Sequence, residues 1–389
     1  MLLRELKEYE TEMIALRRDL HTHPELSFEE HRTQGIVAAF LRQWGYEVSE
    51  GLAGTGVVGT LRKGVGGRSI GIRADMDALP IHELNEDGPA CSCHAGKMHA
   101  CGHDGHTAIL LMTARYLAER ADFNGTVHLI FQPAEESRGG AKVMIDEGLF
   151  TRFPCDAVFG LHNMPYLPFG TFAVQSGAMM ASADMFTITV MGKGGHGSEP
   201  DRCIDPILAG SAIVLALQSI VSRNVSPKRA AVISVGSFNS GSAPNIIPET
   251  AEMKVSVRTL SPQDREHVLA RIHEVVQAQA ASYGAQVDIR HEFGYPVLMN
   301  DRQQAALVAD VIRESFGDAA LLPEGQAIPL MASEDFSFMT EACPGAFVIM
   351  GTSVTGQEFN LHHPRYQFND DAIVPGAALW VNLVQRFLL

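Results

Sequence analysis

The chain has 389 residues, of which 46% are apolar and 19% charged, and a formal net charge of −15. This length suggests two or three domains, and the acidic balance argues against nucleic acid and anionic membrane as main partners. No stretch approaches the ~18 uninterrupted apolar residues of a membrane span, and cysteines at 91, 93, 101, 155, 203 and 343 are too sparse for a disulfide framework, so a cytoplasmic protein is expected.

Leu6, Tyr9, Met13, Leu16 and Leu20 recur at three and four residues, which predicts an amphipathic helix. Arg4, Glu5, Lys7, Glu8 and Glu10 interrupt any apolar region there, so a signal peptide is not expected. Ser27 and Glu30 have capping-box spacing and predict a helix from there to Gly45. Strand-like runs follow at 56–62 and 69–74, then a helix at 105–120, a strand at 126–132, a helix at 139–147 and a strand at 157–161. This alternation predicts an α/β fold with a mixed, largely parallel sheet flanked by helices.

The texture changes near residue 180. A strand at 186–190 leads into a turn with Gly192, Gly194, Gly195 and Gly197, followed by an apolar helix at 204–221. Strands at 230–236 and 251–257, a helix at 262–282 and a strand at 286–291 complete a β, α, β, β, α, β series. That series is the pattern of a ferredoxin-like α+β unit, here predicted as an insert over 183–291. The helix at 301–315, the strand at 346–350 and the helix at 372–388 return to the larger domain, which is predicted to comprise 1–182 and 292–389.

The densest chemistry is Met98-His99-Ala100-Cys101-Gly102-His103-Asp104-Gly105-His106. A glycine between Cys101 and His103 permits a tight bend that turns a thiolate and an imidazole toward one point, a donor pair suited to a transition metal. Three further clusters follow or close strands: Arg73 to Pro80, Gln132-Pro133-Ala134-Glu135-Glu136, and Gly160-Leu161-His162-Asn163. In open α/β sheets, sites gather at the carboxyl ends of strands. Glu135 and Glu136 point in different directions, so one can bind a metal while the other moves protons, the division of labour in metal-assisted hydrolysis. Spacing alone does not say which does which. Of Asp75 and Asp77, one would orient a ligating histidine and the other cap the turn before Pro80; Asp75, directly after its strand, is the preferred orienting residue. His362-His363-Pro364 follows another strand and carries little weight by itself.

Together these strings resemble the M20 metallopeptidase family, within it the amidohydrolase group of hippurate hydrolases, N-acyl-amino-acid deacylases and plant auxin-conjugate hydrolases. The matching segments are RADMDALP, MHACGHDGHTA, FQPAEE, GLH at 160–162, GKGGHGSEP, SAPNIIP, VRT and LHHP, in family order, with RRDLHTHPELSFEE ahead of them. The resemblance implies two divalent metal ions, manganese or zinc, for which cobalt or nickel can substitute. It implies Cys101 as the bridging ligand, with His103, His162, Glu136 and His362 completing the set. It makes Glu135 the general base and acid, and Asp75 the supporting carboxylate. His196 would steady the carbonyl oxygen, commonly from the other subunit of a dimer. Asn245 and Arg258 would hold the substrate carboxylate, for which a guanidinium fork is suited. The implied reaction is hydrolysis of an N-acyl amino acid to a carboxylic acid and an amino acid, with the insert acting as lid and homodimer contact. The competing readings are an M20-type dipeptidase or carboxypeptidase and a non-catalytic metal-binding protein of the same fold. Cys91, Cys93 and His94 depart from the group's usual pattern and read as a solvent loop.

Overall fold

The computed structural model describes the chain apart from residues 86, 87, 89, 357 and 358 and the side chains of 138 and 293. It divides into two compact units, one comprising Met1–Met179, Met299–Ile328 and Asp335–Leu389, the other Met180–Leu298 and Pro329–Glu334. The short return Pro329–Glu334 belongs to the second unit, whereas the sequence pattern predicts it within the larger one.

The first unit is built on a seven-stranded sheet. Its strands are β1 (Glu47–Leu52), β2 (Gly56–Lys63), β3 (Ser69–Asp75), β4 (Gly125–Gln132), β5 (Ala157–Met164), β6 (Phe172–Ala173) and a last strand, Gly345–Gly351. Across the sheet they lie in the order β1, β2, β4, β3, β5, Gly345–Gly351, β6. The four strands β4, β3, β5 and Gly345–Gly351 run parallel, and the remaining pairings are antiparallel. Parallel strands need covering on both faces. Accordingly β5 and Gly345–Gly351 are buried at every residue. The helices His103–Glu119 and Ile373–Leu388 pack against each other and the sheet, and Glu10–Thr22 packs on the first of them.

One expected helix start differs. The helix runs His31–Gln43 and has no side-chain cap, because Ser27 Oγ donates to Asp77 Oδ2 instead (2.8 Å). Glu30 is drawn inward as well: its carboxylate accepts from the backbone N–H of Phe28 (3.0 Å) and Ala134 (2.9 Å) and from Thr55. Tertiary partners have taken both groups that would have formed the local capping box.

The second unit is a four-stranded antiparallel sheet in the order Ala231–Ser240, Thr250–Thr259, Asp184–Met191, Gln286–Phe293. Its two helices, Pro206–Arg223 and Pro262–Ser282, pack on each other and on the sheet. They are capped as their sequences dictate, by Asp205 and by Ser261, each followed by proline in the first turn. By length and composition alone the helix Pro206–Arg223, with a mean hydropathy of 1.5 over 18 residues, could cross a membrane, although Ser211, Gln218, Ser219, Ser222 and Arg223 interrupt its apolar run. Its Ala209, Gly210, Ile213, Leu217 and Ile220 are buried within the unit, while Ile207, Leu208 and Leu215 are exposed.

Candidate metal centre

The parallel strands deliver their polar residues to one end of the sheet. Asp75 stands level with Gln132 across β3 and β4, and His162 and Asn163 stand level with Ile349 and Met350. The Cys/His turn arrives from the start of the helix His103–Glu119. Gly102 precedes that helix with φ +94, a conformation glycine adopts freely, and it reverses the chain between Cys101 and His103. His103 is therefore the first residue of the helix, two residues earlier than its apolar pattern implied.

Glu135 and Glu136 open the short helix Glu135–Arg138, after Ala134 at φ +56. Asp77 fixes that helix start: its two carboxylate oxygens accept from the backbone N–H of Glu135 and of Glu136, each at 3.1 Å. The same residue orients His103, whose Nδ1 lies 2.9 Å from the Asp77 carbonyl and 3.2 Å from its carboxylate. Asp75 has a different partner. Its Oδ1 is 2.6 Å from His106 Nδ1, and its Oδ2 accepts from Arg73 and is 3.7 Å from His103 Nε2. The preference for Asp75 as the carboxylate orienting a ligand is thus corrected: Asp77 grips His103, and Asp75 grips His106.

The five expected ligands come together. The donor atoms of Cys101, His103 and His162 lie within 4.8 Å of one another, and so do those of Cys101, Glu136 and His362. Cys101 is common to both groups. Its Sγ is 3.3 Å from His162 Nε2, Glu136 Oε1 is 3.3 Å from His362 Nε2, and His103 Nε2 is 3.8 Å from Glu136 Oε1. A tetrahedral ion with bonds of ~2.0–2.3 Å holds its donors roughly 3.5 Å apart, so these spacings suit shared coordination. His162 donates Nδ1–H to the Asn163 carbonyl (2.7 Å), which turns Nε2 toward the thiol. Among the described residues, His103 Nε2 and Glu136 Oε1 are buried and find no hydrogen-bond partner. Two buried polar atoms facing one point at that cost fit a cation between them.

The electrostatics agree. Burial pushes the Cys101 thiol well up, and Glu136 and Glu135 push it further. Burial alone would depress His103, but Asp75, Asp77 and Glu136 outweigh it and raise the ring to about 10. Burial likewise opposes ionisation of Asp75, yet His103, Arg73 and His106 hold its carboxyl well below the ordinary range. His162 is depressed, chiefly by burial and then by His106. The acids that hold a proton on His103 would hold a divalent cation more strongly, with release of protons from ring and thiol.

Of the other histidines flagged in this segment, His106 has both ring nitrogens engaged, by Asp75 and by Asn163 Oδ1 (2.7 Å). His99 is buried with no hydrogen-bond partner on either nitrogen among the described residues, and burial depresses it to about 4. Sequence reasoning missed Asp335 and Tyr366, and missed the part Glu30 plays at Ala134. Asp335 accepts from Arg73, Gln132 and the Ala141 N–H, and its own N–H reaches Glu135 Oε1 at 3.3 Å. The sequence marks Glu30 only as a local capping residue, and no motif surrounds Asp335 or Tyr366.

The second unit holds the remaining candidates. His196 pairs with Ile246 in a two-stranded ribbon, and Gly197 N–H donates to the Asn245 carbonyl (2.8 Å), so His196 and Asn245 are neighbours on an exposed loop pair. Arg258 is not with them. It lies eight residues along the strand that starts at Thr250, roughly 25 Å from that end. Its guanidinium is half-buried and donates to Ser333 Oγ (2.7 Å). Within a single copy, Arg258 thus stands along the strand away from the ribbon that holds Asn245.

The model of peptidase family M20/M25/M40 matches residues 71–386. The chain is 43% identical over 387 residues to hippurate hydrolase of Campylobacter jejuni, covering 100% of this chain and 99% of that protein. It is 37% identical to N-acetyl-L-cysteine deacetylase of Bacillus subtilis, covering 98% and 90%. Among solved structures, it matches the Bacillus subtilis YXEP protein, described as a dinuclear metal-binding peptidase from the M20 family. That match has a TM-score of 0.85 and 36% identity, covering 98% and 99% of the two chains.

Proposed function

Because this chain belongs to peptidase family M20/M25/M40 and is a metal-dependent amidohydrolase, we propose that it cleaves the amide bond of N-acyl amino acids, hippurate-like or N-acetylated, to a carboxylic acid and a free amino acid. The observation that carries the reading is the sharing of Cys101 by two donor groups, with Glu135 and Glu136 both beside His103. In this proposal Cys101, His103, His162, Glu136 and His362 hold two divalent ions, manganese or zinc, with cobalt or nickel able to replace them. Bound there, the ions would polarise the scissile carbonyl and make water a stronger acid.

Glu135 is the residue left to move protons. Its carboxylate takes the proton of the attacking water and delivers it to the leaving amine. The Asp77 cap and the Asp335 N–H fix the direction from which it works. His196 steadies the carbonyl oxygen as charge develops. Its Nδ1 already accepts from the Ser198 N–H (3.1 Å), which leaves the ring proton on Nε2, free to donate to an oxyanion. Arg258 and Asn245 bind the substrate carboxylate from different copies of the chain, since one copy separates them. The second unit is then both lid and dimer contact. Exposed Leu208 and Leu215, one heptad apart on the helix Pro206–Arg223, and the sheet-edge strand Ala231–Ser240 provide an apolar and hydrogen-bonding surface for a two-fold pair. We place the enzyme in the cytoplasm.

The deciding test is Glu135→Gln assayed on hippurate and N-acetyl amino acids, with plain dipeptides alongside. Turnover falls by about 10²–10⁴-fold while metal content by elemental analysis stays at the wild-type level. Near-normal rates in that variant would refute the assignment. Preference for dipeptides over acylated amino acids would favour a peptidase of the same family.

A further inference from the structure

Three of the segments that carry the proposed ligands meet at a buried pair the mechanism does not use. Asn163 follows His162 in β5, and its side chain is fully buried. Its carboxamide spans two other segments: Oδ1 is 2.7 Å from His106 Nε2, and Nδ2 donates to the Tyr366 hydroxyl at 2.6 Å. His106 lies one turn after His103 in the same helix, and its far nitrogen is anchored on Asp75. Tyr366, only 1% exposed, closes the loop that carries His362.

That loop is tied at both ends. His362 N–H donates to the Ala100 carbonyl (2.8 Å), and Tyr366 N–H donates to the His363 carbonyl (2.8 Å). His362 itself sits at φ +65, a conformation that a residue with a side chain keeps only when its surroundings impose it. The turn between Cys101 and His103 rests on the same pair. A Cβ at Gly102 would fall 2.4 Å from Asn163 Oδ1 and 2.8 Å from the Tyr366 oxygen. One amide and one phenol thus touch the Cys101–His103 turn, the His162 strand and the His362 loop.

We propose that Asn163 and Tyr366 are positioning residues for the metal centre, setting the mutual separation of Cys101, His103, His162 and His362 without binding an ion or substrate. The inference rests on the ligand set proposed above. Groups that orient ligands in this way are commonly worth 10–100-fold in metal affinity. Neither side chain needs to contact substrate, so the effect falls on metal binding before it falls on chemistry.

The test uses metal-free full-length chain titrated with manganese and with zinc against a chromophoric chelator. Circular dichroism and the melting midpoint of the metal-free protein are recorded for each variant. Tyr366→Phe keeps the ring and removes one oxygen, and Asn163→Ala removes the bridge. The expected result is a 10–100-fold weaker affinity for at least one of two ions in Tyr366→Phe, at an unchanged metal-free melting midpoint. Wild-type affinity for both ions would overturn the proposal. So would a loss of affinity that only accompanies a lowered melting midpoint, since that is what a general packing role produces. Cys101→Ala, run in parallel, separates the two levels: if it binds both ions as the wild type does, the ligand set itself is wrong.

Discussion

Gly102→Ala tests whether the turn between Cys101 and His103 is built as tightly as the structure has it. Two costs add. Gly102 has φ +94, and placing a Cβ in the left-handed region costs about 1–2 kcal/mol. The new methyl would also lie 2.4 Å from Asn163 Oδ1 and 2.8 Å from the Tyr366 oxygen, both fully buried atoms with no room to retreat. Overpacking of this kind costs about 1–3 kcal/mol, so the whole penalty is about 2–5 kcal/mol. Gly96→Ala is the internal control. Its φ is +79 and nothing among the described residues lies within 4 Å of the added Cβ, so it carries the backbone cost alone. Urea unfolding followed by tryptophan fluorescence is the assay, because both tryptophans, Trp44 and Trp380, belong to the first unit. Equal losses in the two variants would show that Asn163 and Tyr366 do not press on the turn, and the steric half of the reasoning would fall.

Other outcomes follow from the buried charges and the second unit. Burial, reinforced by Arg62, depresses His128 in β4 to about 4, below the 6.5 it has when unfolded. Above pH 6.5 the ring is neutral in both states; as pH falls toward 4 the unfolded chain takes up a proton the fold refuses, and roughly 3 kcal/mol of stability is lost across that window. His128→Gln should flatten this pH dependence of the urea midpoint, and an unchanged slope would refute it. Arg73→Ala strands the carboxylates of Asp75 and Asp335 in the core and should cost about 3–5 kcal/mol, with Arg73→Lys a poor substitute because one ammonium cannot span Gln132, Asp75 and Asp335; a loss under ~1 kcal/mol would contradict the buried triad. On the proposed pairing through the second unit, light scattering should find the wild type a dimer and Leu215→Glu a monomer without altering the tryptophan-detected unfolding of the first unit; a monomeric wild type would refute the pairing, and a variant that stays dimeric would remove this helix from it.

Much of the architecture was legible because hydrophobic period and element type agree. β3, β4 and β5 read as short apolar runs bounded by polar clusters, and helix Pro262–Ser282 was read with both ends where they lie, since Ser261 and Pro262 mark its start. Where the reading failed, tertiary partners had outbid local chemistry. Ser27 and Glu30 have the spacing of a capping box, but each is worth more elsewhere: Ser27 on Asp77, and Glu30 on the N–H of Ala134, whose φ of +56 needs holding. A sequence displays the local option only. Helix Pro206–Arg223 shows the converse, since its composition alone does not separate a bilayer-spanning helix from one that lays its apolar face on a sheet.

The site divides along the same line. Residue types limit the ligands sharply, because thiolate, imidazole and carboxylate at strand ends have few other uses. The supporting carboxylate was misjudged for a geometric reason. Asp75 and Asp77 are two apart, and along a strand such residues share a face, so alternation cannot separate them. The chain leaves the sheet at Asp75, and the turn beyond it swings Asp77 under the N–H groups of Glu135 and Glu136 and against His103. Asn245 and Arg258 present the opposite case. Thirteen positions look close in sequence, but the Gly197 N–H ties the first to the loop after His196 while an extended strand carries the second away. Sequence distance becomes spatial distance wherever the chain runs straight, so one substrate carboxylate touching both residues requires two copies of the chain. That requirement is stronger ground for a dimer than the exposed leucines, because it concerns completeness of the site. Mixing an Asn245→Ala chain with an Arg258→Ala chain tests it. Mixed dimers contain one intact carboxylate site, so activity should recover toward a quarter of the wild-type level if subunits exchange at random. Recovery absent from a mixture shown to have exchanged would mean that the two residues never serve one substrate.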